Sequence, residues 1–369
     1  VRVEKSHTIC LNMIVKNEAP VIRRCLASVR PLIDSWVIVD TGSTDGTQDI
    51  IRAELHDVPG TLHQRPWRNF AHNRSEALEL ARDAANYSLI IDAEDYLELT
   101  STDALTLTHD CYSLVIHDPP LSYPRKQLIN NRQQWFYRGV LHEYLECNEP
   151  HTSGHLDLAI RRNHDGARRR DPGTYGNDAA LLLDALRAES DPFLVRRYTF
   201  YLAQSFRDAG RLDLAIARYL QRADQGGWEE EIFISLYQVA KLKQRMGHDS
   251  SDVIAAFEAA DAVTTTRAEA LHGAARQCRL YARHAEGFAY AEKGLDRTQP
   301  PDALFVEPWI YQYGLFDEYA VTASWIGKYA ESHEACMKIL ASGSLPSDQL
   351  SRVVGNARLC FKLGFMDKA

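Results

Sequence analysis

The 369-residue chain is too long for one core of ordinary size and suits two domains. Apolar residues at 45% and charged residues at 25% give the balance of a soluble globular protein, while a net charge of -8 argues against nucleic-acid or anionic-membrane binding. No apolar run approaches the roughly 20 residues that span a bilayer. The start, Val1-Arg2-Val3-Glu4-Lys5, carries no secretory-signal pattern and reads as a trimmed end. Seven cysteines are scattered singly, which fits reduced thiols and predicts a cytoplasmic protein.

The first half alternates short apolar runs with amphipathic segments, the pattern of βαβ units and a mainly parallel sheet. Thr8–Val15 reads as a buried first strand. Asn17 is placed to cap the helix that follows, with Pro20 in its first turn and Val21, Ile22, Leu26 and Val29 on its buried stripe. Trp36–Val39 is a second strand ending at Asp40, and the turn Thr41–Gly46 opens another helix, where Asp45 and Gln48 have capping-box spacing. A third helix starts near Asn69. Ser88–Ile91 is the next core strand and runs directly into Asp92.

From about Tyr175 the strand signals almost vanish and Ala-rich helical periodicity takes over. Gly210–Ala217 resembles Gly327–Glu334, and each follows a helix of aromatic and small residues, Tyr198–Ala203 and Glu318–Ala323. A small-residue helix, a turn glycine and a second helix form the grammar of a tetratricopeptide-like hairpin. Weaker copies fall at 232–260 and 268–294, with irregular spacing; a plain helical bundle is the alternative. Trp309, Tyr311 and Tyr313 are candidates for a groove lining or for core.

Ligands of open α/β sheets bind beyond the carboxyl ends of the strands. Three such ends carry polar groups here: Lys16-Asn17-Glu18, Asp40-Thr41-Gly42-Ser43 and Asp92-Ala93-Glu94-Asp95. An acid ending the second strand can accept hydrogen bonds from ribose hydroxyls or a base N–H. The loop after the first strand lacks G-x-G-x-x-G, which counts against a dinucleotide enzyme. Asp92 and Glu94, one small residue apart, can be aimed to the same side as hard oxygen ligands for magnesium or manganese, a metal that would neutralise a departing nucleoside diphosphate. Acids after a buried strand also cap helices, and spacing alone leaves both readings open.

Asn12–Glu18, Val37–Thr47, Phe70–Leu78 and Ile90–Asp95 occur in the order of the blocks of family 2 glycosyltransferases, and the first 165 residues or so resemble that family. The resemblance implies a GT-A (nucleotide-diphospho-sugar transferase) domain over residues 1–170, followed by an all-α tetratricopeptide-like domain over 171–369, as in the sublancin-type S-glycosyltransferase subgroup. It further implies a nucleotide-sugar donor, favouring UDP, a divalent metal (Mn2+ or Mg2+) and inversion at the anomeric carbon. By the resemblance, Ile14, Lys16, Glu18 and Asp40 hold the nucleoside, Arg74 lies near the diphosphate, and Asp92 with Glu94 makes a D-x-D-like metal site. Glu94 stands where the family has aspartate. Arg68 is a second candidate for the diphosphate.

Trp135–Glu143 resembles the acceptor-side block of the family. An inverting displacement needs a base to deprotonate the acceptor, and Glu143 is assigned that role. His142 and His164 are candidate metal ligands, with a structural role as the alternative for each. The acceptor is expected to be a peptide, a protein or a glycan, and the helical half to present a peptide acceptor or to mediate homodimerisation. The competing functions are a non-catalytic tetratricopeptide-like scaffold with a degenerate transferase domain, and a nucleotidyltransferase. The glycine-free loop Met13–Glu18 argues against the latter.

Overall fold

A computed structural model describes residues 7–99, 105–119, 121–301 and 303–366; the segment Val1–Lys5 lies outside them. The strands are β1 (Ile9–Val15), β2 (Ser35–Asp40), β3 (Gly60–Gln64), β4 (Tyr87–Ile90), β5 (Tyr96–Glu98), β6 (Cys111–Asp118), β7 (Leu121–Asn130), β8 (Trp135–Arg138), β9 (Tyr144–Cys147) and β10 (Ser153–Arg161). Eight of them form one sheet in the order β3-β2-β1-β4-β7-β6-β10-β5, and β8 with β9 makes a separate hairpin. The three strands expected from sequence lie side by side and parallel, with β2 and β4 flanking β1. Their carboxyl ends, carrying Lys16–Glu18, Asp40 and Asp92, therefore share one edge of the sheet. Beyond β4 the sheet is mixed, because β7 runs antiparallel to both β4 and β6 while β10 runs parallel to β6. The edge strand β3 escaped the sequence reading: Gly-Thr-Leu-His-Gln offers a single large apolar residue and is mostly exposed.

Both faces of the sheet are covered, as the near-continuous apolar runs of β1 and β2 demand. Helices α1 (Ile22–Val29) and α2 (Thr47–Glu54) bury Ile22, Cys25, Leu26, Val29 and Ile51 against Leu11, Met13, Trp36 and Ile38. On the other face α3 (Phe70–Ala81) and the β8–β9 hairpin close a smaller cluster of Leu78, Ile90, Ile129, Trp135 and Tyr137.

Helix starts follow the sequence in one case of three. Asn69 caps α3, its side chain accepting from the His72 N–H at 2.8 Å. Asn17 does not cap α1: it sits in left-handed backbone (φ 56°), and its side chain accepts from the Thr44 N–H instead. The capping box at α2 is also absent. Asp45 accepts from the Thr47 N–H and hydroxyl, but Gln48 pairs with Gln64 and Arg52. Asn17 is taken up by the zipping of loop 17–19 onto loop 43–47, while Gln48 is drawn off by Gln64 of the edge strand and by Arg52.

Two further helices, α4 (Ala167–Arg170) and α5 (Thr174–Ala188), complete the first compact unit, which ends at Glu189. The division between the units follows α5, while the resemblance sets the domain boundary at 170/171 and the texture of the sequence changes at about Tyr175.

The second unit, from Ser190, contains α6 (Pro192–Asp208), α7 (Leu212–Asp224), α8 (Glu229–Met246), α9 (Ser250–Asp261), α10 (Glu269–Leu280), α11 (His284–Gly294), a π-helical turn (Ile310–Gly314), α12 (Leu315–Trp325), α13 (Tyr329–Ser342) and α14 (Ser347–Met366). Four successive helix pairs share one turn. In each, the first helix ends at a left-handed residue, Gly210, Gly247, Ala282 or Gly327, and the next N–H returns to the carbonyl five residues earlier. The intervals are 37 (247 − 210), 35 (282 − 247) and 45 (327 − 282) residues, close to a tetratricopeptide period except for the last. That last interval holds the irregular stretches 295–301 and 303–307. The second is tied down by buried charge: Arg267 donates to Glu269, Glu230 and the Leu304 carbonyl, and Glu230 accepts from the Leu304 N–H. Tyr311 belongs to this core, its hydroxyl donating to Glu269 at 2.7 Å, and Tyr313 is partly buried, whereas Trp309 is 39% exposed beside His272. Among the described residues no helix is long and apolar enough to cross a membrane.

Candidate active site

Asp40, the last residue of β2, is fully buried. Its Oδ1 accepts from the Gly42 and Ser43 N–H groups at 2.9 Å each, a tight turn that Gly42 makes possible at φ 107°. Its Oδ2 is buried without a hydrogen-bond partner among the described residues. A buried carboxylate oxygen left unpaired is costly unless a ligand completes it. The adjacent loop carries Ile14, half-buried where its neighbours are buried, then exposed Lys16 and half-buried Glu18. The Glu18 carboxylate accepts from the Ala167 N–H at 3.1 Å and 3.2 Å. Burial first, then the nearby Glu94 and Asp45 charges, push its carboxyl up to about 7 against the opposing Ala167 bond.

The centre of the constellation is Arg74. It projects from α3, 8% exposed, with its Nε donating to Glu143 Oε1 at 2.7 Å and its Nη2 to Asp92 Oδ1 at 2.5 Å. The same guanidinium lies 5.7 Å from the Tyr137 ring centroid. Glu143 arrives from the β8–β9 hairpin, which is fastened to α3 by the Ser75 hydroxyl accepting from the Tyr137 N–H and by the Phe70 N–H donating to the Val140 carbonyl. Burial disfavours the charge of Arg74, but the two carboxylates outweigh it and hold the group protonated. Burial likewise works against the Asp92 carboxylate, yet the fields of Arg74, Arg125 and Arg162 prevail and hold it well below the usual carboxylate range. The fold thus joins the acidic motif and the acceptor-side acid through one guanidinium.

Arg68 stands apart from this arrangement. It is exposed, and among the described residues only its backbone is engaged, the N–H donating to Asn73 Oδ1 at 3.0 Å. The two arginines that were equivalent in sequence are separated by burial.

The metal candidates divide. Among the described residues no three His, Cys, Asp or Glu side chains converge to hold an ion. His142 is exposed at the hairpin tip in left-handed backbone (φ 51°), while its neighbour Glu143 turns to Arg74. His164 is 47% exposed and shares its Nε2 with Asp118 Oδ1 at 2.8 Å, although its charge is near enough to lower the Glu94 carboxyl. Neither candidate histidine joins Asp92 and Glu94 in such a group, and the two sit on different loops with their own surroundings. What remains fits a hard cation that takes one or two carboxylates and completes its shell with phosphate oxygens. Asp92 Oδ2 has Arg162 at 3.9 Å, and among the described residues the Glu94 carboxylate is bonded through Oε2, which accepts from the Gly166 N–H at 2.7 Å. Burial, followed by the Asp92 charge, raises the Glu94 carboxyl, and burial with Asp92 also raises Asp95.

Several residues of this site were not found from sequence. Arg162 follows β10 directly; its Nη1 reaches the Tyr123 hydroxyl at 3.4 Å and its Nε is buried without a partner among the described residues. Arg24 donates to Asp165 twice at 2.9 Å and also to the Glu94 carbonyl. Arg170 donates to the Asn17 carbonyl at 3.0 Å. The run Arg161-Arg162-Asn163-His164-Asp165-Gly166 was read only for its histidine, yet its turn grammar and charge density were visible signals.

Residues 10–101 match the model of glycosyl transferase family 2, so the first unit carries a family 2 glycosyltransferase domain. The glycosyltransferase SunS of Bacillus phage SPbeta is 35% identical over 95 residues, 25% of this chain and 22% of SunS. A TPR repeat-containing protein of Synechococcus elongatus is 34% identical over 92 residues, 25% of this chain and 21% of that protein. An uncharacterized glycosyltransferase of Rickettsia bellii is 26% identical over 202 residues, 53% of this chain and 65% of its own. The chain thus spans about a fifth of the length of SunS. Among solved structures, a tetratricopeptide repeat protein from Parabacteroides merdae aligns with a TM-score of 0.38 at 15% identity, covering 53% of this chain and 68% of that one. The MamA protein aligns at 0.35 and 14%, covering 52% and 86%.

Proposed function

We propose that this chain is an inverting glycosyltransferase that moves a sugar from a nucleoside diphosphate, UDP in the first instance, to a peptide, protein or glycan acceptor. The observation that carries the reading is the shared guanidinium of Arg74, which brings Asp92 of the acidic motif and Glu143 of the hairpin to one point. In a single displacement the base and the leaving group must flank the reacting carbon, so an acceptor-side carboxylate beside the motif acid is the arrangement the reaction needs.

The nucleoside is held by Asp40, whose unpaired Oδ2 accepts from a base N–H or a ribose hydroxyl, with Ile14, Lys16 and Glu18 lining the adjacent loop. The diphosphate competes with the carboxylates for Arg74. As the guanidinium turns toward the phosphate oxygens, Glu143 loses its ion pair and becomes the base. Glu143 then takes the proton from the acceptor hydroxyl or thiol, and the acceptor atom forms its bond to the anomeric carbon as the bond from that carbon to the diphosphate oxygen breaks. The electron pair leaves with the nucleoside diphosphate, beside the Arg74 charge. A manganese or magnesium ion, when held by Asp92 and Glu94, supplies further neutralisation of the diphosphate.

The test is a thermal-shift screen of nucleotide sugars with manganese, since a ligand at 100 times its Kd stabilises the native state by about 2.7 kcal/mol. A UDP-sugar is expected to raise the midpoint, and Asp92→Asn to remove both the shift and transfer while keeping the fold. If no nucleotide sugar shifts the protein with either metal, the chain is a scaffold and the proposal fails.

A further inference from the structure

Glu94 occupies the position where the family-like motif has aspartate, and its extra methylene has a structural counterpart. Glu94 Oε2 accepts from the Gly166 N–H at 2.7 Å. The Gly166 backbone, φ -69° and ψ 171°, is one that any residue adopts, so conformation does not call for glycine there. Space does. A Cβ on residue 166 would lie 1.9 Å from Glu94 Oε2 and 2.8 Å from its Cδ. An aspartate, shorter by one carbon–carbon bond of about 1.5 Å, withdraws the carboxylate from that N–H.

The contact belongs to a segment bonded to both halves of the site. Asn163 donates through its side chain to the Glu94 carbonyl and through its backbone to Asp95 Oδ1, at 3.2 Å each. Ala167 donates to Glu18, and Arg170 to the Asn17 carbonyl. Residues 163–170 therefore tie the acidic motif to the loop after β1. Among these bonds only Glu94 with Gly166 is sterically exclusive, the longer acid requiring the absent side chain.

We infer that Glu94 and Gly166 form a matched pair that holds segment 163–170 across the acidic motif and the nucleotide loop, and that Gly166 is a positioning residue of the donor site. The pair stands on the geometry above; that the site it organises takes a nucleoside diphosphate rests on the function proposed in the preceding section. Glu94 keeps its Oε1 for a ligand while Oε2 holds the segment.

The experiment compares the full-length wild type, Gly166→Ala, Glu94→Asp and the double variant by amide hydrogen exchange over residues 163–170 without ligand. UDP binding to wild type and Gly166→Ala is measured by calorimetry with manganese. The closest contacts of Gly166→Ala are with the flexible carboxylate end of Glu94, whose Cβ stands off at 3.2 Å, so its thermal midpoint should stay within a few degrees of wild type. Exchange in the segment should rise about tenfold or more in each single variant and no further in the double, because both substitutions remove one contact. UDP affinity of Gly166→Ala should fall about tenfold. Unchanged exchange in either single variant, additive effects in the double, or full UDP affinity in Gly166→Ala would overturn the pairing. If the wild type itself binds no UDP, the glycosyl-transfer reading fails while the exchange measurements still decide the pair.

Discussion

Replacing Arg74 by methionine keeps the apolar stem over Tyr137 but removes the charge that neutralises two acids. Breaking a buried ion pair by deleting one partner costs about 3–5 kcal/mol, because the other is left charged and unsolvated. Glu143 is 9% exposed and Asp92 23%, so Asp92 recovers some hydration and the lower part of that range applies, about 3 kcal/mol at pH 8. The pH dependence fixes the mechanism. In the wild type the Asp92 carboxyl is depressed, so its contribution is present above the unfolded value near 3.9 and is lost as pH falls through the folded value. Without Arg74, burial raises the carboxyls, the folded state holds protons more tightly, and stability falls as pH rises from about 4 toward neutrality. The deficit of Arg74→Met should therefore be small near pH 4.5 and complete by pH 8. Because two compact units need not unfold together, native-state hydrogen exchange of α3 and β4 amides is the suitable measure. Arg74→Lys should recover less than half of the loss, since one ammonium cannot bridge both acids in a planar fork. A deficit below about 1 kcal/mol at pH 8, or one equal at both pH values, would refute the claim that Arg74 neutralises Asp92 and Glu143 together.

Other consequences are more local. Asp40→Asn keeps the acceptor for Gly42 and Ser43 but loses the charge at the unpaired oxygen; nucleotide affinity should drop about tenfold with little change in thermal midpoint, as calorimetry would reveal. Glu143→Gln should abolish transfer while UDP binding persists, and loss of binding instead would remove Glu143 from the role of base. His272 is 6% exposed and held neutral, mainly by burial, with its imidazole pushed down to about 4, so its contribution is complete above about 6.5 and is lost as pH falls from there toward 4. His272→Gln should flatten the stability of the helical unit across that window, removing a slope worth up to about 3 kcal/mol. Ala282→Gly relieves the left-handed alanine at the third shared turn and should raise stability by up to about 1 kcal/mol, whereas Gly327→Ala should lower it by a similar amount; urea unfolding of both variants checks the sign.

How much of this was legible in sequence depended on whether a property was local. Buried parallel strands announce themselves by unbroken apolar runs, so β1, β2 and β4 and the polar residues at their ends were readable, as were the helix start near Asn69 and the shared turns at Gly210 and Gly327. The turns at Gly247 and Ala282 were covered only by the weaker copies, and the polar edge strand β3 has too little apolar pattern to be read. The helical caps expected at Asn17 and Gln48 failed because partners distant in sequence claimed those side chains. The order of the motif blocks and the family resemblance they carry singled out Asp40, Arg74, Asp92 and Glu143, with Arg68 left beside Arg74 as an equal candidate. Only the tertiary structure decided that the Arg74 guanidinium joins Asp92 and Glu143, that Arg68 is left in water, that His142 and His164 stand on separate loops, and that Glu94 is matched to Gly166. Hydrogen-bond partners tens of residues apart are chosen by how the sheet brings loops together, and chain order carries no record of that choice.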